Sequence, residues 1–197
     1  MRFYRALSYL VVTSRLEIAW GYSEKMDTKM NAAEKPELKP ANDNPWYWLA
    51  TLYGEMSSDS EPDQDQDIAQ KNRIAWNRWF AKVLSAEQRD KLLKNGFSPE
   101  ELVPWMPTEE AELAIAFIAR SGRMDQSLPA PILPPDFSHT VFNSAVSFVG
   151  FHFPYGANFS SATFFGEANF YSATFSEECR FNSATFSRET PIKSSKG

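Results

Sequence analysis

Few side chains in this sequence could carry out chemistry, and their spacing does not assemble a catalytic site. The two histidines, His139 and His152, have no Ser, Cys or carboxylate placed for a triad-like arrangement, and we expect both at solvated corners of the fold. The single cysteine, Cys179, excludes an intrachain disulfide. It stands where a repeat described below requires a small residue, which favours core packing over a reactive thiol. The sequence therefore predicts no catalytic residue and no enzyme.

One acidic stretch has the spacing of metal ligands. Asp63, Asp65 and Asp67 match positions one, three and five of a calcium-binding loop. However, Ile68 replaces the required glycine and Ile74 replaces the required glutamate. The eight glycines form no phosphate-binding motif. We therefore interpret these aspartates as part of a solvated loop, and expect neither a metal nor a cofactor.

Three glutamates, Glu167, Glu178 and Glu189, recur at intervals of eleven residues. We expect them to align into one row of carboxylates, which would either promote solubility or face a basic partner. The net charge of −5 does not favour direct binding of nucleic acid. No run approaches the roughly 18 apolar residues of a membrane-spanning helix, and no secretory signal is evident, so we expect a cytoplasmic protein.

The glutamates belong to a larger pattern, because residues 135–189 repeat every eleven positions. Phenylalanines alternate at spacings of five and six residues, which is neither a helical period nor that of a flat strand. A small residue precedes most of them by two positions, leaving room for a stacked ring. The phenylalanines are Phe137, Phe142, Phe148, Phe153, Phe159, Phe164, Phe170, Phe175, Phe181 and Phe186, and the small residues are Ala157, Ala162, Ala168, Ala173, Cys179 and Ala184. We expect these side chains to form the core of a stacked solenoid.

The segments Ala157–Ser161 and Ala168–Ser172 read small, polar, Phe, polar, polar. This unit resembles that of the pentapeptide-repeat family. The resemblance covers residues 135–189, is strongest from 157 to 189, and implies a right-handed β-helix with a quadrilateral cross-section. The additional residue in each second unit is a departure from the family's pattern, and we interpret it as a bulge that forms a ridge along one face.

The part upstream of the repeat is typical of a small helical domain. Asn44 and Pro45 have the residue types that begin a helix, and Ser85 with Gln88 has the pattern of a capping box. A longer helix is predicted from about Ile68 to Leu84, with an apolar stripe of core residues at Trp76, Trp79 and Phe80. The block NPWYWLATLYG at 44–54 resembles a helical leader of bacterial pentapeptide-repeat proteins.

The sequence thus predicts an α+β chain in five parts. They are a poorly ordered leader and linker at 1–43, a helical domain at 44–127, a proline-rich hinge at 128–134, the repeat at 135–189, and a disordered tail at 190–197.

Two functions remain open from the sequence. The first is a non-catalytic scaffold whose solenoid binds another protein. For the uncapped last turn the sequence predicts either an end-to-end homodimer or a chain that is a shortened member of its family. The second follows from the family resemblance, since some members act as DNA mimics on topoisomerases such as gyrase. Residues 135–189 carry few carboxylates for such a role, because duplex DNA has one charge per roughly 1.7 Å.

Overall fold

The computed structural model describes residues 37–56 and 62–187. The expectations for residues 1–36, for Glu189 and for the tail at 190–197 lie outside these described residues. The described chain is a mixture of α-helices and short parallel strands, which is compatible with the predicted α+β class.

In the described residues that precede the repeat there are four α-helices, and their boundaries follow local capping signals. Asn44 Oδ1 accepts a hydrogen bond from Trp46 N at 2.9 Å, and Ser85 forms the predicted capping box with Gln88. The α-helices are α1 (Pro45–Ala50), α2 (Pro62–Ala81), α3 (Ala86–Lys94) and α4 (Pro107–Ser121), with 3₁₀ helices at Ala41–Asp43 and Glu100–Leu102. Both predicted caps are thereby confirmed.

Helix α2 begins at Pro62, six residues before the predicted start at Ile68. Asp63 and Asp65 lie in its first turn, where negative charge is favoured by the helix dipole. Asp67 pairs with Lys71 one turn later at 2.6 Å. The interpretation of these aspartates as a loop was therefore wrong, because they support a helix N-terminus. Residues two apart on a helix point in different directions, so these three carboxylates do not converge on one ion.

The strands are two or three residues long, and all of their pairings are parallel. In chain order they are β1 (Lys39–Pro40), β2 (Thr140–Phe142), β3 (Val146–Ser147), β4 (His152–Phe153), β5 (Ala157–Asn158), β6 (Thr163–Phe164), β7 (Ala168–Asn169), β8 (Thr174–Phe175), β9 (Cys179–Arg180) and β10 (Thr185–Phe186). The strand order is β1-β2-β6-β10 in one sheet, and β3-β7, β4-β8 and β5-β9 form three two-stranded sheets. Within the repeat, each strand pairs with the strand four positions later in the chain.

The register places residues twenty-two positions apart beside each other, as Val141 beside Thr163 and Ala157 beside Cys179. This register stacks the phenylalanines in four columns with nearly parallel rings. Ring centroids are 4.9 Å apart in Phe137–Phe159–Phe181, 4.5 and 4.8 Å in Phe142–Phe164–Phe186, 5.0 Å in Phe148–Phe170 and 4.7 Å in Phe153–Phe175. The repeat period thus arises from rings that stack on their equivalents two units later.

The five-residue spacing in each eleven-residue unit turns through a left-handed residue. His139, Ser161, Ser172 and Ser183 have φ between 56° and 58°, and Gly150 has φ of 67°. Each follows a phenylalanine by two positions, at the start of a five-residue spacing. Four of these positions carry a side chain although this conformation favours glycine, so the surrounding stack holds strained turns in place.

The six-residue spacings occur between β2 and β3 and between β4 and β5, and again one turn later, so the extra residues fall on two connections of each turn. In one of these connections Gly156 has φ of 70°. The backbone passes closely here: a Cβ on Gly156 would overlap Glu178 O, and one on Gly166 would overlap the carbonyl carbon of Ser144. These two glycines therefore permit successive turns to stack at contact distance.

The helices and the repeat share one hydrophobic core. Trp76 lies between Trp46 and Phe80 on the helical side and the rings of Phe151 and Phe153 in the repeat. The expected separation by the proline-rich hinge at 128–134 is thus not observed, because apolar burial continues across it.

The segments before and between these parts are also fixed by hydrogen bonds. The predicted linker ends in strand β1, in which Lys39 N donates to His139 O at 2.8 Å. Within the proline-rich segment, Pro129 O accepts from the indole of Trp79 at 2.9 Å. Polar composition suggested a linker at the first place and proline content a hinge at the second, but a neighbouring strand and a buried indole give these backbone groups partners.

Candidate functional site

The first turn of the repeat is covered by side chains that take the place of a preceding strand. Asn77 Oδ1 accepts from His152 N at 2.8 Å, while Asn77 Nδ2 donates to Gly150 O at 3.0 Å. The indole of Trp76 donates to His152 O at 2.9 Å. Asn77 and Trp76 are 1% and 0% exposed, so water does not compete for these bonds. Side chains of helix α2 therefore form the hydrogen bonds with the backbone of β4 that a preceding turn of the repeat would form.

Two further parts of the first turn contact residues that precede the repeat. Strand β1 pairs with β2 through Lys39 and Pro40. Asn44 Nδ2 donates to Asp136 O at 2.9 Å and to Thr140 Oγ1 at 3.1 Å. Strand addition at this end of the stack is thus hindered at β2 and at β4.

The later turns become progressively more exposed. Phe137 and Phe159 are fully buried, whereas Phe181, on the same column, is 37% exposed. Phe186 reaches 60% in the column whose earlier members, Phe142 and Phe164, are each 1% exposed. This end of the described chain therefore presents aromatic surface, which we call the aromatic end surface and define by Phe181 and Phe186.

The small positions follow the same trend. Ala157 and Ala162 are buried, and the later members Ala168, Ala173, Cys179 and Ala184 are partly exposed. Burial raises the pKa of the Cys179 thiol to about 11. The thiol is therefore protonated at neutral pH and a poor nucleophile.

The glutamates do not form the expected single row. Glu167 lies between β6 and β7, and Glu178 lies between β8 and β9, so they stand on different connections of the stack. The register is twenty-two residues rather than eleven, and Glu178 therefore lies beside Gly156. Its carboxylate pairs with Arg180 at 2.8 Å, and this contact lowers its pKa. Both glutamates are exposed, but they do not define one acidic face.

The two histidines have different environments. His139 is partly exposed at a left-handed turn. His152 is only 2% exposed, so its predicted place at a solvated corner was wrong. Its ring lies edge-on to Phe97 with centroids 6.1 Å apart, and Nδ1 has no hydrogen-bond partner. Burial lowers the pKa of His152 to about 4, against a smaller opposing effect of the Thr174 backbone.

This burial predicts a loss of stability in mild acid. The unfolded chain binds a proton at His152 near pH 6.5 and the folded chain only near pH 4. The contribution of His152 to the free energy of unfolding is therefore fully present above pH 6.5, decreases as the pH falls to about 4, and does not change further below that pH. The free energy lost over this range is about 3 kcal/mol. Urea unfolding at a series of pH values measures it, and His152→Gln should remove this component. An unchanged pH profile in that variant would contradict the assignment.

Sequence reasoning missed the role of Asn77. The sequence feature that could have indicated this role is the position of Asn77 between Trp76 and Trp79, next to the apolar stripe of α2. A buried amide there would be costly without hydrogen-bond partners. Among residues 37–56 and 62–187, no group of three or more His, Cys, Asp or Glu side chains could hold a metal ion. Over the same residues, no helix has the length and apolar character needed to cross a bilayer.

We compared the chain with known families, proteins and structures and found no relative. No protein-family model matches the chain, and neither a curated protein nor a solved structure matches it.

Proposed function

We propose that this chain is a non-catalytic protein-interaction scaffold built on a right-handed quadrilateral β-helix. The register of twenty-two residues and the four sets of paired strands support this architecture. Phenylalanine columns fix the backbone of each turn, so outward side chains are held in an ordered array. Such preorganised surfaces bind partners without a large loss of conformational entropy.

The observation that carries this proposal is the aromatic end surface. Phe181 and Phe186 continue buried columns, yet they are 37% and 60% exposed. The opposite end is contacted by α2 and β1, so we propose that a second copy joins through the same surface on both chains. Contact between identical surfaces gives a closed two-fold pair rather than a fibre. We therefore propose an end-to-end homodimer of a cytoplasmic protein as the first assembly to test.

Light scattering coupled to size exclusion tests this assembly with the full chain. The expected mass is twice the 22.4 kDa of one chain. Phe186→Ser should shift the mass to that of one chain, since it removes apolar area from the contact. The matched control is Ile132→Ser, because Ile132 is similarly exposed at 64% but lies outside the repeat. A wild-type mass of one chain at high micromolar concentration would reject the homodimer.

The alternative, a DNA mimic acting on a topoisomerase such as gyrase, has less support from the geometry. A mimic needs a dense, continuous array of negative charge. Glu167 and Glu178 stand on different connections, and Glu178 is neutralised by Arg180. The protein-interaction scaffold is therefore the function that we propose.

A further inference from the structure

A cavity of about 750 Å³ lies where the start of α1, the proline-rich segment and the start of the repeat meet. Its volume is within the range of ordinary ligand-binding sites. The apolar part of its lining consists of Pro45, Leu128, Pro129, Ala130 and Leu133. The indole of Trp46 also lines it, and we call this feature the Trp46 cavity.

Trp46 differs from the other tryptophans of the described residues in the hydrogen bonding of its indole. The side chain is 8% exposed and packs against Trp76 and Phe80, with ring centroids 6.1 and 6.0 Å away. Within the described part of the chain, Trp46 Nε1 donates to no acceptor, and it is not closed to solvent. A tryptophan N–H that is largely buried normally has a partner. An acceptor can therefore reach this donor from the cavity.

The other indoles of the described residues indicate which acceptor fits. Each donates to a backbone carbonyl at 2.9 to 3.3 Å, and these indoles belong to Trp48, Trp76, Trp79 and Trp105. The acceptor of Trp79 is Pro129 O, and Pro129 also lines the Trp46 cavity. One contact between an indole and an extended, proline-containing segment thus already exists beside the unpaired indole. We therefore expect a peptide carbonyl as the acceptor of Trp46 Nε1.

The charged side chains of the lining have an excess of negative charge. They are the carboxylates Glu37, Asp43 and Asp136, the ammonium of Lys39, and the imidazole of His139, which is counted as neutral at pH 7. Asp43 is compensated by Arg123 at 2.5 Å. The two hydrogen bonds to the Asp136 carboxylate both use Oδ1. Two carboxylates therefore remain against one ammonium, which favours a ligand with positive charge.

We propose that the Trp46 cavity binds an extended peptide segment of a partner protein, in which an apolar residue lies next to a lysine or arginine. A backbone carbonyl of the segment accepts from Trp46 Nε1, its apolar side chain packs against Leu128 and Leu133, and its cation pairs with Asp136 and Glu37. This inference deepens the proposed scaffold function, on which it rests. It assigns a partner chemistry to a surface distinct from the aromatic end surface.

Fluorescence anisotropy with the full chain and a fluorescein-labelled nonapeptide of repeating proline, leucine and lysine tests the proposal. We expect saturable binding that weakens with added salt, and no saturable binding when glutamate replaces lysine in the peptide. Leu133→Ser should reduce the affinity by roughly tenfold, because it removes an apolar contact. Glu37→Lys should reduce it by roughly threefold, because an exposed charge contributes less.

Both variants have matched controls outside the lining. Ile132→Ser changes the neighbouring residue, which is 64% exposed against 53% for Leu133. Glu112→Lys makes the same charge change as Glu37→Lys at an exposed position on α4. Each control should bind the peptide within about twofold of wild type, because distant exposed charges are screened.

The indole resonances in a nitrogen-15 correlation spectrum locate the bound peptide. Trp46→Phe identifies the Trp46 indole signal by its absence and keeps an aromatic ring in the core. Peptide addition should shift this signal. The Trp105 signal should stay unchanged, since its indole donates to Ala75 O at 3.3 Å and lies outside the lining.

The proposal is overturned if the lysine peptide shows no saturable binding, if Leu133→Ser and Ile132→Ser lose affinity equally, or if binding saturates without a shift of the Trp46 signal. Light scattering on the same samples keeps this proposal separate from the homodimer. A cavity that binds no peptide leaves the two-chain mass unchanged, and a mass of one chain with peptide binding intact rejects only the homodimer.

Discussion

Replacing Asn77 by alanine should destabilise the fold by about 3–5 kcal/mol. The substitution removes the hydrogen bonds that Asn77 makes with His152 N and Gly150 O. It also removes one of the hydrogen bonds to the carboxylate of Glu101, which keeps the one from Ser98 N. Each buried polar group without a partner costs about 1–3 kcal/mol. Urea unfolding followed by tryptophan fluorescence and by circular dichroism measures the loss.

The control for this variant is Asn95→Ala, which removes an exposed amide of the same kind. It should change the free energy of unfolding by no more than about 0.5 kcal/mol. A loss below about 1 kcal/mol in Asn77→Ala would mean that the end of the repeat does not depend on α2 for its hydrogen bonds.

A second large effect is expected within a single aromatic column. Phe164 is 1% exposed and stacks between Phe142 and Phe186, with centroids 4.5 and 4.8 Å away. Phe164→Ala removes a ring that fills the column and should cost about 3–5 kcal/mol. Thermal and urea unfolding of the purified variant measure this change.

The matched variant is Phe186→Ala, in the same column but 60% exposed. Since its ring is mostly in water, its removal should cost about 1 kcal/mol or less when measured at concentrations that keep the chain monomeric. The difference between the two variants isolates burial from residue type. Equal losses would show that the exposed end is covered in solution.

The sequence predicted the repeat because its signal is local and redundant. Phe137, Phe159 and Phe181 occupy equivalent places in every second unit, and the spacing indicated a core of stacked rings. The same spacing did not predict that Glu167 and Glu178 separate. Eleven residues complete one unit of the pattern, but stacking requires twenty-two, and only the strand register shows which residues become neighbours.

The contacts between the helices and the repeat could not be predicted, because they join residues far apart in the chain. His152 looked like a corner residue in the repeat pattern, and its burial depends on Phe97 and α2. Asn77 likewise acquires its role from groups more than seventy residues away, and Arg73 pairs with Glu101 in the 3₁₀ helix at Glu100–Leu102. Periodicity within the repeat contains no information on which helix covers it.

The hydrogen bonds that Asn77 and Trp76 donate and accept at β4 also give the stack a starting point for folding. Each later turn can pair only with a turn already in place, since strands such as β8 find their partner on β4. The strands should therefore pair in order, beginning with those next to α2. Local unfolding should begin with the last strands, β9 and β10. Amide protons of β9 and β10 would then exchange with solvent sooner than those of β2 to β5, even though all of them belong to the same repeat.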